Sequence, residues 1–339
     1  MGDVLEDDLR KEISRGRALL VVGSGVSSGA TRNAETASWR GLISNGITRC
    51  KTVDPSLSES WVTLRQAQVE SGDTGELLGA AEQVQQKLGD RTGTEFGRWL
   101  QETVGALQVQ KRDVLEALRD LRTPIVTTNY DGLLEEVTGF PPVTVGQPAV
   151  VEQVLKGDAP GVFHLHGYWQ QPETVVLGIR DYEKVLENER VQSILRAQMG
   201  SRTVVFVGCG EGLEDPNFGA LLKWFERVYE GSQYRHFRLA RSSEMAALGK
   251  QHPPSQPIRP MAYGSDFKHL APFLQRLAPS GGGAAPHPID APTGLGVGDA
   301  RAWPGVERHA TAHAEPSPPP AEAAAQRRLR GRVVLVSDD

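Results

Sequence analysis

The sequence predicts an α/β protein: a Rossmann-like, doubly wound, mostly parallel sheet with a helical insertion. Three observations lead there. Short strand-like runs at residues 18–22, 124–128, 161–165, 203–207 and 236–240, most of them largely apolar, alternate with segments of helical periodicity, the pattern of strands joined by crossover helices. Several of these runs end in glycine or polar clusters: Gly23-Ser24-Gly25-Val26-Ser27, Thr127-Thr128-Asn129-Tyr130-Asp131, His164-Leu165-His166-Gly167 and Gly208-Cys209-Gly210. In open parallel sheets, ligands bind beyond the carboxyl ends of the strands. Finally, 339 residues with 39% hydrophobic and 23% charged side chains are enough for a sizeable core in an ordinary globular chain.

In chain order, residues 3–13 carry helical spacing (Val4, Leu5, Leu9, Ile13) and lead into the first strand at 18–22. After the glycine loop, Trp39-Arg40-Gly41-Leu42-Ile43 opens a helix. Residues 59–104 are helix-rich, with breaks at Ser71-Gly72-Asp73 and Gly89-Asp90, and residues 112–121 are amphipathic. This stretch is too long for a simple crossover, so about 59–121 reads as the helical insertion. A strand at 124–128, a helix start at 131–137, a strand at 161–165 and a short strand at 174–177 follow. Then come a helix at 182–199, a strand at 203–207, a helix near 217–229, a strand at 236–240 and a final helix at 266–277. Residues 1–278 thus form one expected folded unit. Residues 279–326 carry Gly281-Gly282-Gly283 and Pro318-Pro319-Pro320, a linker composition. Residues 327–339 combine Arg327, Arg328, Arg330 and Arg332 with the apolar Val333-Val334-Leu335-Val336. They read either as the opening of a further element or as a short strand added to the sheet edge.

Composition removes several function classes. A formal net charge of -5 and a pI near 6.0 give no basic bias toward nucleic acid. Two cysteines, Cys50 and Cys209, exclude a disulfide framework and a four-cysteine zinc ribbon. No run reaches the roughly 18 apolar residues of a bilayer span. The acidic start Met1-Gly2-Asp3-Val4-Leu5-Glu6-Asp7-Asp8 does not resemble a secretory leader. A cytoplasmic location without membrane attachment is the expectation.

The strand ends carry the chemistry. Gly23 and Gly25 allow a backbone to approach a pyrophosphate, and amides at a following helix start attract it. Position 28 holds serine where Gly-x-Gly-x-x-Gly wants glycine, with Gly29 one residue late, so an ordinary tight turn fits as well. No acidic residue at a second strand end marks a ribose partner. The Asn129 amide suits a water or a ribose hydroxyl. Asp131 suits a carboxamide or developing positive charge, and equally a helix N-cap. His164 and His166, two apart on a strand, point to one face. As zinc ligands they lack a third partner. His166 fits a general base, because imidazole titrates near neutral pH and Gly167 leaves room beside it. His164 fits a satisfied core histidine.

As an ordered set over about residues 18–277, these pieces resemble the sirtuin-like family in its broad bacterial branch. Trp39-Arg40-Gly41, Asp181-Tyr182-Glu183, Asp215-Pro216-Asn217-Phe218 and Tyr263-Gly264-Ser265-Asp266 belong to the same set. The resemblance implies a Rossmann-like sheet that binds NAD as substrate and cleaves the nicotinamide–ribose bond. By motif position, Asn129 is the catalytic amide, His166 the base and Asp131 the nicotinamide-side carboxylate. Gly23, Ser24 and Ser27 line the phosphates, Gly208 and Cys209 approach the adenosine half, and Gly25 and Thr128 complete the cofactor-binding set. No metal is implied.

This chain departs from the deacylating branch in two places. It lacks the four cysteines of the zinc ribbon, and residues 30–36 lack the Ile-Pro-Asp-Phe-Arg pattern after the glycine loop. Without an acyl-lysine tunnel, water is the natural nucleophile. The resemblance therefore implies an NAD hydrolase serving as a toxic effector in bacterial antiviral defence. A fused or associated sensor and a homo-oligomeric state are expected with it. A protein deacylase or ADP-ribosyltransferase, and a non-catalytic binder of an NAD-derived signal, are the alternatives.

Overall fold

Among the described residues, seven parallel strands form one sheet, running from β3 (Pro142–Thr144) through β4 (Val162–His164), β2 (Ile125–Thr127), β1 (Ala18–Val22), β5 (Thr203–Val207) and β6 (His236–Arg241) to β7 (Ile258–Gly264). The structure is a computed structural model and describes residues 2–89, 93–187, 189–210, 236–253 and 256–279. Parallel neighbours need crossovers over the sheet faces, and helices supply them on both sides. The central strands are β1 (Ala18–Val22) and β5 (Thr203–Val207), every residue of which is buried. β1 pairs with β2 (Ile125–Thr127) on one side and β5 on the other. β4 (Val162–His164) and β3 (Pro142–Thr144) extend the sheet one way, and β6 (His236–Arg241) and β7 (Ile258–Gly264) the other.

Strand alternation sorts the core into two faces. Leu20, Val22, Ile125, Val162 and Val205 pack with α1 (Gly2–Ser14), α2 (Ser24–Ala30), α7 (Asp113–Asp120), α8 (Leu133–Thr138) and α13 (Leu270–Leu277). Leu19, Val21, Val126, Phe163 and Phe206 pack on the other face with α9 (Pro148–Lys156).

A third core lies among helices that leave the sheet between β1 and β2: α3 (Trp39–Val53), α4 (Glu59–Glu70), α5 (Thr74–Lys87) and α6 (Thr94–Glu102). Ser38, Ser58 and Asp73 cap α3, α4 and α5 through side-chain oxygens that accept from Gly41, Trp61 and Glu76 amides, which satisfies amides otherwise left open at each helix start. Trp99 anchors this core: it is 1% exposed and its Nε1–H donates to Asn45 Oδ1 at 3.0 Å. Trp99→Ala is expected to cost about 3–5 kcal/mol, read as a drop in midpoint by denaturant unfolding. Tyr130, Val175 and Leu177 belong to the same core, so it is fastened to the strand-end loops.

Two expectations are corrected. Residues 174–177 form no strand. Pro172–Thr174 is a 3-10 turn, and Val175, Val176 and Leu177 follow as buried loop. The apolar run reflects burial rather than pairing, and the Val176 backbone is satisfied by other strand-end loops. Val176 N–H donates to the His166 carbonyl at 2.8 Å, and the Val176 carbonyl accepts from the Tyr130 hydroxyl at 2.7 Å. Nor does the β4 strand reach His166: it ends at His164, and residues 165–166 form a turn. The two histidines therefore do not share a strand face.

The helix expected at 182–199 is described as α10 (Ile179–Glu187) and α11 (Glu189–Ser201). α12 (Met245–Gln251), α9, β3 and β7 were not anticipated. The helix near 217–229, the Asp215-Pro216-Asn217-Phe218 motif and residues 280–339 lie outside the described residues. By backbone contacts the chain divides into Met1–Ala291 and Pro292–Asp339; the described residues all fall in the first.

Candidate functional site

A cleft of about 460 Å³ lies at the carboxyl ends of the central strands, bounded by the helices of the third core. That volume falls within the range of small-molecule sites. The glycine loop after β1 and the turn after β5 form one wall. Gly23 N–H donates to the Val207 carbonyl at 3.0 Å and Gly25 N–H to the Gly208 carbonyl at 2.9 Å. A Cβ on Gly25 would sit 2.8 Å from that Gly208 oxygen. The glycines thus serve first to seat two strand-end loops against each other, a use the phosphate reading did not anticipate. Gly23, Ser24 and Gly25 still line the cleft, as do Thr128, Gly208 and Cys209.

Asn129 and Asp131 enter from the loop after β2, and His166 from the turn after β4; all three line the same cleft. They are 8%, 6% and 2% exposed. Gly167 sets the turn that delivers His166. Its φ is +88°, and a Cβ there would lie 2.3 Å from the Thr174 carbonyl oxygen. Its role is this left-handed, close-packed bend rather than open space beside the imidazole. The His166 ring meets Tyr182 edge-on with centroids 5.4 Å apart, and Tyr182 meets Trp39 at 6.3 Å. These two aromatics form part of the apolar lining of the cleft, together with Leu42, Val104 and Phe206.

Ser27 has a different place from the one expected. It is 2% exposed and does not line the cleft. Its hydroxyl donates to Asp131 Oδ2 at 2.7 Å and accepts from Asn129 Nδ2 at 2.8 Å. Ser27 therefore ties two cleft residues together from behind. Asn129 is further held by its own N–H, which donates to Thr127 Oγ1 at 3.1 Å. Asp131 Oδ1 accepts from the amide of Leu133, the first residue of α8, at 3.1 Å; the N-cap position itself is Gly132, without a side-chain cap, so Asp131 steadies the helix start from one residue upstream and is not its N-cap.

The Asp131 carboxyl is held above its ordinary value of 3.8. Burial is the chief cause and the Glu135 charge adds to it, against hydrogen bonds from Ser27 and Leu133 and the positive influence of His164. The sign for stability follows by linkage. Below 3.8 both folded and unfolded chains hold the proton. As pH rises through the interval up to the folded value, only the unfolded chain ionises, and stability falls across that window. An ionisable group that costs stability while lining a cleft points to function. The wild type should lose melting temperature as pH rises above about 3.8, and Asp131→Asn should lack that contribution to the slope; calorimetry over a pH series reads this.

His164 is a core histidine, fully buried. Its Nδ1 lies 2.8 Å from the Asn129 carbonyl and its Nε2 2.7 Å from Glu135 Oε1. The acidic partner sits 29 residues away in the chain, so the pairing leaves no local sequence signal. Thr74, Leu77 and Glu244 also line the cleft and carried no local sequence signal. Among the described residues, no group of three or more His, Cys, Asp or Glu side chains is placed to hold a metal ion. No helix of those residues is long and apolar enough to cross a membrane.

Compared with known protein families, residues 123–258 match the model of the SIR2-like domain. The match takes in Asn129, Asp131, His166, Gly208 and Cys209 and begins downstream of the glycine loop. It supports a sirtuin-like family and an activity related to NAD.

Proposed function

We propose that this SIR2-like chain is an NAD glycohydrolase. The observation that carries the reading is the convergence of Asn129, Asp131 and His166, delivered by two strand ends, on one cleft walled by the glycine loop. In this reading the nicotinamide ribose lies over Asn129 and His166, and the rest of the dinucleotide runs along Gly23–Gly25 toward Gly208 and Cys209. The buried, aromatic-sided setting of His166 keeps bulk water from the reacting carbon.

The bond between ribose C1′ and the pyridinium nitrogen breaks with its electron pair passing to the ring, so nicotinamide departs neutral. Positive character develops on the ribose. The ionised form of Asp131 stabilises that charge, and its buried position strengthens the effect. Asn129 holds a water for attack on C1′. The water oxygen forms the new bond and its proton passes to the His166 imidazole. ADP-ribose and nicotinamide are the products. Water is the proposed acceptor because the chain lacks the sequence features that build an acyl-lysine tunnel.

In the cell, we propose, NAD depletion makes the chain a cytoplasmic effector of antiviral defence, acting as a homo-oligomer with a fused or associated sensor. The Gly- and Pro-rich composition after residue 279 suits a tether to such a partner. Incubation with NAD tests the activity: the proposal requires equimolar nicotinamide and free ADP-ribose. An acceptor-dependent product would favour transfer to protein instead, and tight binding without nicotinamide release would favour a signal-binding module.

A further inference from the structure

We propose that His164 and Glu135 form a buried imidazolium–carboxylate pair that grips the Asn129 backbone, making both of them positioning residues for the cleavage step. This rests on the hydrolase reading above.

The hydrogen-bond directions argue it. The Asn129 carbonyl only accepts, so the His164 Nδ1 at 2.8 Å must carry a hydrogen. The Nε2 lies 2.7 Å from Glu135 Oε1, and a proton must lie between those atoms as well. With Nδ1 already protonated, that second proton, when it sits on Nε2, makes the ring an imidazolium facing a carboxylate, and the surroundings of the ring favour that placement. Burial opposes the charge, but the hydrogen bond and charge of Glu135 outweigh it, aided by the Asn129 carbonyl and by Asp131, and hold His164 above its ordinary 6.5. The groups facing the ring are Glu135 from α8, Asp131 and the Asn129 carbonyl from the loop after β2, and Tyr168 from the turn after β4, its ring centroid 4.8 Å away.

The placement gives the pair its purpose. His164 ends β4, two residues before His166. One strand end therefore carries the proposed base and, at the same time, holds the main chain of the proposed amide. With its N–H on Thr127 and its Nδ2 on Ser27, Asn129 is fixed at three atoms, and its side-chain oxygen remains to serve the cleft. Losing the His164 contact leaves the Asn129 carbonyl free to turn. Small misplacements of a reacting group cost up to about a hundredfold in rate.

The pair also predicts a particular alkaline behaviour. When His164 loses a proton, the Glu135 carboxylate retains the Nε2–H tautomer. The Nδ1 lone pair then faces the Asn129 carbonyl, and the grip fails. In Glu135→Gln the amide turns and donates to Nε2, so the neutral ring keeps its Nδ1–H on Asn129. A base at His166 acts only when unprotonated and shapes the acid side of the profile, so the two effects fall on opposite limbs.

The test uses the full chain as wild type, Glu135→Gln and His164→Gln, with kcat and KM for nicotinamide release followed across pH. His164→Gln should lower kcat about tenfold to a hundredfold with KM within about twofold. Glu135→Gln should lose or displace the alkaline fall in kcat that the wild type shows. Nitrogen-15 histidine NMR gives a readout independent of turnover: His164 should carry protons on both ring nitrogens in the wild type at neutral pH, and on one in Glu135→Gln. If the wild type cleaves NAD but Glu135→Gln keeps an unchanged alkaline limb, the positioning role is overturned and the hydrolase reading stands. If the wild type releases no nicotinamide, the hydrolase reading falls and the positioning role falls with it, whatever the NMR shows.

Discussion

Replacing His166 by alanine is expected to lower kcat for nicotinamide release about 10²–10⁴-fold, the usual contribution of a positioned general base. The fold should survive. The turn that carries His166 is held by its backbone, through the Val176 N–H to the His166 carbonyl at 2.8 Å and the left-handed Gly167, and neither depends on the imidazole. The substitution removes ring packing against Tyr182. An edge-on aromatic contact adds about 0.5–1.5 kcal/mol beyond its buried area, a modest part of the roughly 5–15 kcal/mol that keeps a domain folded. Steady-state kinetics beside a denaturant curve separates the two effects: the rate should collapse while the midpoint moves slightly.

Asn129→Ala should cost about 10²–10³ in kcat, the scale set by removing one preorganised polar group from a transition-state site. Its structural cost is specific. The Ser27 hydroxyl loses the donor at 2.8 Å while keeping its bond to Asp131 at 2.7 Å, so about 1 kcal/mol is the expected penalty. The backbone anchors on Thr127 and His164 are untouched by a side-chain truncation. The product ADP-ribose should bind Asn129→Ala nearly as well as wild type by calorimetry. A loss of binding equal to the loss of rate would instead mark Asn129 as a general ligand contact.

Much of the fold was legible because strong local patterns coincide with central position. Residues 18–22 and 204–207 are continuous apolar runs, as strands buried on both faces must be, and both fall at the sheet centre. The edges were harder. β3 is a three-residue strand opening on Pro142, and β7 (Ile258–Gly264) mixes Arg259 and Pro260 into a half-exposed edge; neither presents an apolar run. Residues 174–177 misled because burial in a loop and burial in a strand leave the same composition.

At the site, residues at strand ends were legible from sequence order alone: Asn129, Asp131 and His166 all reach the cleft. What stood behind them was not. Ser27 reads as a phosphate-side serine in the glycine loop, yet its partners are 102 and 104 residues away in the chain. The pairing of His164 with Glu135 likewise joins a strand end to a helix face, a contact that exists only once β2 and β4 lie side by side. The glycines carried two meanings at once. Close approach to a ligand and close approach to Gly208 demand the same missing Cβ, and only the packed structure separates them.

The central claim is that one amide and one imidazole act on a single ribose. Its most direct measurement is nicotinamide and ADP-ribose formed from NAD by the wild type, Asn129→Ala and His166→Ala at matched concentrations of folded protein. The account predicts steady equimolar release by the wild type and loss of at least about a hundredfold in each variant. Undiminished release by either variant, or none from the wild type, would contradict it.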